Sequence, residues 1–265
     1  MLQILLNHLL PMKLKILVAI GISFLLSGCN LRSPEDKPQM DIYLLIGQSN
    51  MAGRAEISEP FRDTLQGVYL FTNDTLRPWE PAANPLNKYS TIRKRIEMQK
   101  MGPGYSFAKQ LRAQIPDKEI GLVVNAKGGT SLFKWLPGGK FYNDAVARTL
   151  EAMQYGTLKG ILWLQGEADT RKTDVYLDSL SYMISSFRED FSLPDLPFVA
   201  SELSEAKPQR IPFNIMLKEL PERVENTAVI TSEGTTTIDS THFDSESQRI
   251  LGERFANQII QMIDR

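Results

Sequence analysis

Asp41-Ile42-Tyr43-Leu44-Leu45-Ile46-Gly47-Gln48-Ser49-Asn50-Met51-Ala52-Gly53 opens the part of the chain that reads as a folded domain. The run from Asp41 to Ile46 is short, almost wholly apolar and closed by a glycine, which suits a buried central strand. Ser49 then follows directly after that strand and stands where a helix begins. A serine at this position can cap the helix. It can equally be a nucleophile, because backbone N–H groups at a helix start stabilise negative charge. The stretch alone leaves both roles open.

Working outward, similar apolar runs recur at 67–72, 119–125, 160–165, 197–201 and 227–231. Helical patterns at 105–114, 141–154, 176–191, 213–224 and 245–263 lie between or after them. In the last of these, Ile250, Leu251, Phe255, Ile259, Ile260 and Ile263 keep one apolar face at helical spacing. Strands alternating with helices indicate an α/β domain with a parallel sheet covered on both faces. The segment 73–101 shows no clear periodicity and is rich in Pro and Asn, and a loop that long in a compact domain is usually functional.

The N-terminus departs from this pattern. Lys13 and Lys15 precede a largely apolar run over 16–26, followed by Ser27, Gly28 and Cys29. A basic start, an apolar core too short to span a bilayer and small residues before a cut site make a secretory signal. Leu26-Ser27-Gly28-Cys29 is also similar to the bacterial lipoprotein box, in which the cysteine is lipidated. An ordinary signal with an incidental cysteine is the alternative. The box is favoured because Cys29 is the single cysteine of the chain and sits where the box requires it. The expected organisation is a signal peptide over 1–28, a polar tether over 29–40 and the folded domain over 41–265, exported to the cell envelope and touching the membrane only through its lipid. Removing 1–28 takes away two lysines and no acid, leaving 28 basic against 31 acidic residues. No basic stripe remains to attract nucleic acid.

In parallel sheets, ligands bind beyond the carboxyl ends of the strands. Four groups fall there: 47–53, 128–130, 165–169 and 239–242. The mature chain has a single imidazole, His242, since His8 lies in the signal. Asp239, three residues earlier on the same loop, can hold Nδ1 of that ring and leave Nε2 free to take a proton from a serine. A solvated loop histidine is the bland alternative. Gly128-Gly129 lets the backbone approach a ligand closely, although a plain turn would look the same. Gln165 carries a side-chain amide that could act as an oxyanion donor. Glu167 and Asp169 receive no catalytic step. Together these groups form an inventory for acyl transfer. A zinc site lacks ligands, no phosphate-binding glycine loop occurs, and no Gly-x-Ser-x-Gly elbow is present.

The blocks Gly47-Gln-Ser-Asn-Met-Ala-Gly-Arg54, Gly128-Gly-Thr130, Trp163-Leu-Gln-Gly-Glu-Ala-Asp169 and Asp239-Ser-Thr-His242 resemble, in order, those of the sialate O-acetylesterase and acetylxylan esterase group (carbohydrate esterase family six) of the SGNH hydrolases. The resemblance implies a three-layer, flavodoxin-like α/β/α sandwich with a mainly parallel sheet. It implies Ser49 as nucleophile, His242 as base and Asp239 as third member of a triad. The Ser49 and Gly129 N–H groups and the Gln165 amide would form the oxyanion hole. It implies no cofactor and no metal, and an acetylated carbohydrate as substrate, on either xylan or sialic acid. Arg54, Trp79, Trp135 and the 73–101 segment are candidate sugar contacts, with core packing the alternative for each Trp. An inactive carbohydrate-binding relative and a long-chain lipase or thioesterase are the competing classes. Oligomeric state is not legible.

Overall fold

The computed structural model describes residues 40–263. The signal, Cys29 and the tether up to residue 39 lie outside them. Met40, read as the last tether residue, already begins the first strand.

The described residues form a seven-stranded sheet in the order β3-β2-β4-β1-β5-β6-β7. Its strands are β1 (Met40–Gly47), β2 (Val68–Phe71), β3 (Trp79–Pro81), β4 (Ile120–Ala126), β5 (Gly156–Leu164), β6 (Phe198–Ser201) and β7 (Thr227–Ile230). Six run parallel, and only β3 is antiparallel, pairing with β2. β1 is buried along its whole length between β4 and β5, as its unbroken apolar sequence predicts.

Alternation along β1 divides the core in two. Ile42, Leu44 and Ile46 face α3 (Lys140–Ala152), α4 (Thr173–Asp190), α5 (Ile211–Leu217) and α6 (Leu220–Arg223). Tyr43 and Leu45 face α2 (Gly104–Gln114) and α7 (Ser245–Ile263). Successive side chains of a strand point to opposite faces, so both faces need an apolar cover. The result is the expected three-layer sandwich.

The departures from the sequence reading have local causes. The helix expected over 213–224 is two, because Pro221 lacks an N–H and its ring would meet the carbonyl of Leu217, where α5 stops. β5 starts at Gly156 rather than 160, with an irregularity opposite Ile42 and Tyr43 that the apolar pattern does not show. The segment 73–101 contains the short strand β3 and two 3-10 turns, Leu86–Tyr89 and Ile96–Met98.

Candidate active site

The chain runs from β4 on one side of β1 to β5 on the other, so the carboxyl ends of these three strands bound a crevice at a switch point. Each contributes the group expected of it. Ser49 begins α1 (Ser49–Ala52) directly after β1, and Gln48 holds the cap position. Lys127–Thr130 follows β4, and Gln165–Asp169 follows β5. The loop after β7 brings in Asp239 and His242.

Ser49 Oγ lies 3.0 Å from His242 Nε2, and His242 Nδ1 lies 2.6 Å from Asp239 Oδ2. The serine therefore points at the imidazole rather than capping the helix. Asp239 also shapes the loop that carries the histidine. Its Oδ1 accepts the N–H groups of Thr241 (3.0 Å) and His242 (2.7 Å), across Ser240 in the left-handed region at φ 60°. Partial burial works against the charge on Asp239. The His242 and Thr241 N–H groups and the ring outweigh it and hold the carboxyl down at about 2. Arg210 fastens the same loop by donating to Ser240 O and Thr241 Oγ1.

Asn50 joins the helix of Ser49 to the loop of His242. Its Oδ1 accepts the Phe243 N–H (3.1 Å), and its Nδ2 donates to Thr241 O (3.1 Å) and to Glu167 Oε1 (2.6 Å). The peptides on both sides of His242 are thus gripped by the residue next to Ser49. Burial raises the pKa of Glu167, against opposing hydrogen bonds and the neighbouring Arg210 and His242.

Ser49, His242, Gly128 and Gly129 line a cleft of about 370 Å³ with Gln48, Arg54, Lys94, Met98 and Glu167. The N–H groups of Ser49 and Gly129 have no acceptor among the described residues. Gly129 sits at φ 74°, and a Cβ on Gly128 would stand 3.2 Å from Ser49 Cβ. This loop needs glycine at both positions. Arg54 lies against Gly128, with Nη1 donating to Met98 O at 3.0 Å. A roomier cleft of about 640 Å³ at the ends of β6 and β7 has Glu202, Lys218 and Thr235 in its wall and no imidazole.

Three expectations are corrected. Gln165 has no exposure, and its Nε2 donates to Thr130 O and Asp169 Oδ2, both at 2.8 Å. Its amide is committed inside the protein and does not face the cleft. Trp135 is fully buried, edge-on to Trp163 and Phe141, with its Nε1 donating to Thr130 Oγ1, so it stacks on no sugar. Trp79 packs edge-on against Phe71 and Tyr155 on β3 and likewise lies outside the cleft. Sequence reasoning overlooked Gln48 and Asn50, although both flank Ser49 in the decisive stretch. Lys94 and Met98 lie in the 73–101 segment expected to contact sugar, although neither was singled out, and Arg210 was missed.

A sequence model of the family described as carbohydrate esterase, sialic acid-specific acetylesterase, matches residues 39–261. A probable carbohydrate esterase of Arabidopsis thaliana is 30% identical over 204 residues, which is 66% of this chain and 75% of that protein. A solved structure of an Arabidopsis thaliana protein superposes with a TM-score of 0.76 at 26% identity, over 84% of this chain and 99% of that one. The crystal structure of NanS superposes with a TM-score of 0.68 over 86% of this chain and 98% of its own, at 17% identity, a likeness of fold.

Proposed function

This chain belongs to the carbohydrate esterase, sialic acid-specific acetylesterase family, and from that membership we propose that it hydrolyses an acetyl ester on a sugar hydroxyl through Ser49, His242 and Asp239. The observation that carries the reading is the contact series from Ser49 Oγ through both nitrogens of His242 to Asp239, at 3.0 and 2.6 Å. In the proposed reaction His242 Nε2 takes the Ser49 proton while Oγ attacks the ester carbonyl. The developing oxyanion meets the N–H groups of Ser49 and Gly129. His242 then returns the proton to the departing sugar oxygen, leaving an acetyl group on Ser49. Water, deprotonated by the same nitrogen, attacks the acetyl carbonyl and releases acetate.

Within this reading the sugar is acidic, an O-acetyl sialic acid rather than acetylated xylan. Two cations support this: Arg54 and Lys94 line the cleft, and neither is ion-paired among the described residues. Lys94 Nζ lies 3.8 Å from where a Cβ of Gly129 would be. A neutral xylan acetate needs no such pair, whereas a sugar carboxylate gains a charge-assisted contact of about 1.5–3 kcal/mol. Lys94→Ala should raise KM for an O-acetyl sialic acid by about tenfold or more and leave KM for p-nitrophenyl acetate unchanged. Parent enzyme that deacetylates xylo-oligosaccharides faster than O-acetyl sialic acids would overturn the choice of sugar. We further propose an exported lipoprotein anchored at Cys29, supported by Leu26-Ser27-Gly28-Cys29 after the apolar run.

A further inference from the structure

We propose that the cleft at the carboxyl ends of β6 and β7 is a second sugar site, which takes the neutral sugar to which an acetylated acidic sugar is linked. This assignment rests on the acetylesterase reading above and extends it from a single sugar to a chain of two or more.

The two clefts share a wall. After β7 the chain runs out through Thr235, Thr236 and Thr237, turns at 238–241 and returns through His242 and Phe243. The outgoing and returning limbs are paired. Ile238 N–H donates to His242 O at 2.9 Å, Asp244 N–H donates to Thr236 O at 3.3 Å, and Thr237 forms a bridge with Phe243. The outgoing limb lines the larger cleft, whereas Thr241 and His242 on the returning side line the cleft of Ser49. Paired limbs stand about 5 Å apart, so a substrate need cross only this loop to occupy both clefts. Arg210 holds the loop in place from the side. Its Nη1 donates to Ser204 O at 3.1 Å, in the wall of the larger cleft, and to Ser240 O at 3.0 Å, in the turn.

The larger cleft carries groups that recognise hydroxyls. Ser204 is 3% exposed; its oxygen accepts the Ala206 N–H at 3.2 Å, and its proton meets no acceptor among the described residues. A hydroxyl so buried ordinarily has a partner for its proton, and a ligand oxygen in the cleft supplies one. The exposed carboxylates of Glu205 and Glu233 also face the cleft, and neither is ion-paired among the described residues. Glu202, 2% exposed, is occupied by Ser232 N–H at 2.9 Å and by Lys218 Nζ at 2.8 Å. Three carboxylates thus face one ammonium. Such a wall accepts charge-assisted hydrogen bonds from sugar hydroxyls and repels a sugar carboxylate. The cleft of Ser49 has the opposite polarity, with Arg54 and Lys94. Charge therefore sorts the two ends of a substrate, the acidic sugar toward Ser49 and the neutral one beyond the loop. At about 640 Å³ the larger cleft has the size of a small-molecule site.

The test compares kcat/KM of the full chain on an O-acetyl sialic acid, free and α-linked to lactose. The parent should prefer the linked form by about tenfold or more, equivalent to about 1.4 kcal/mol of added contact. Glu205→Ala/Glu233→Ala alters two exposed side chains and should bring that ratio to within about twofold of one. Using the ratio cancels any general loss of activity in the variant. A parent ratio already near one, or a preference that the double variant keeps in full, overturns the proposal. A second measurement needs no turnover. Lactose alone, titrated into the parent protein, should shift the backbone amide resonances of Ser204, Glu233 and Thr235. Resonances unmoved at about 10 mM lactose, ten times a millimolar Kd, count against the site. Tighter binding of glucosamine than of lactose would overturn the choice of a neutral sugar. If lactose binds there while neither O-acetyl sialic acid is hydrolysed, the sugar site stands and the acetylesterase reading has failed.

Discussion

Replacing Asn50 by aspartate tests whether a single neutral amide sets the spacing between Ser49 and His242. The substitution keeps the shape and leaves Oδ1 to accept the Phe243 N–H. It turns Nδ2, which donates to Thr241 O and Glu167 Oε1, into a second oxygen. That oxygen would stand where Nδ2 now lies, 2.6 Å from the carboxylate of Glu167. Two carboxylates at that separation cannot both be charged. The folded variant must therefore hold one more proton than its unfolded chain at neutral pH. Burial already raises the pKa of Glu167, so proton sharing is the available relief. A carboxyl whose folded pKa is raised costs little below its unfolded value near 4. The cost then grows as pH rises toward the folded value. One retained proton corresponds to about 1.4 kcal/mol per pH unit, or about 3 kcal/mol between pH 5 and 7. The loss of the bond to Thr241 O adds about 1–3 kcal/mol at every pH. Urea unfolding of parent and variant at about pH 5, 6 and 7 measures both components. A stability difference that stays constant within about 0.5 kcal/mol over that range would refute the shared-proton reasoning.

Ser49→Ala should fold normally and lose at least about 10³ in acetyl-ester turnover; near-parental turnover removes Ser49 from the mechanism. Asp239→Asn should lose about 10⁴ in kcat at little cost in Tm, because an amide N–H facing Nδ1 leaves Nε2 protonated and unable to accept from Ser49; a loss below tenfold contradicts the relay. In the parent, the Asp239 carboxyl should titrate near 2, so its share of stability is complete above the ordinary value of 3.8 and disappears only as pH falls through about 2. A carbon-detected titration with a midpoint near 4 would show that the His242 loop does not hold it. Cys29→Ser, expressed in a bacterial host, should lose lipid labelling and leave the membrane fraction; retained labelling excludes Cys29 as the attachment point.

The sheet was legible because buried parallel strands are written as apolar runs closed by turn residues, and β1, β4 and β6 are of that kind. β3 was not, since three half-exposed residues carry too little alternation to stand out from a proline-rich loop. The break between α5 and α6 was legible in Pro221, but the apolar spacing around it suggested one helix. In the candidate site, Asp239 and His242 were found from a local spacing that three residues of loop can satisfy by themselves. Gln165 shows the limit of such reading. A glutamine at a strand end can direct its amide either way, and its direction here is decided by Tyr176, Thr130 and Asp169, whose joint placement around it no local pattern shows. The role of Asn50 depends on residues 117 to 193 positions away, so no local pattern announces it. Trp135 was ambiguous for another reason: burial and sugar stacking ask for the same side chain.

The direction of β1 has a geometric consequence for the lipid anchor proposed above. The strand enters the sheet at Met40 on the rim opposite the catalytic crevice and delivers Ser49 to the other rim after eight residues, a rise of about 26 Å. Everything that precedes Met40 is therefore attached at the end of β1 opposite Ser49. With a lipid on Cys29 as proposed, the eleven-bond run of chain to Met40 reaches at most about 35–40 Å when fully extended. The proposed lipid and the crevice would then be joined to opposite ends of β1, and the length of the tether sets how far from its attachment point such an enzyme could reach.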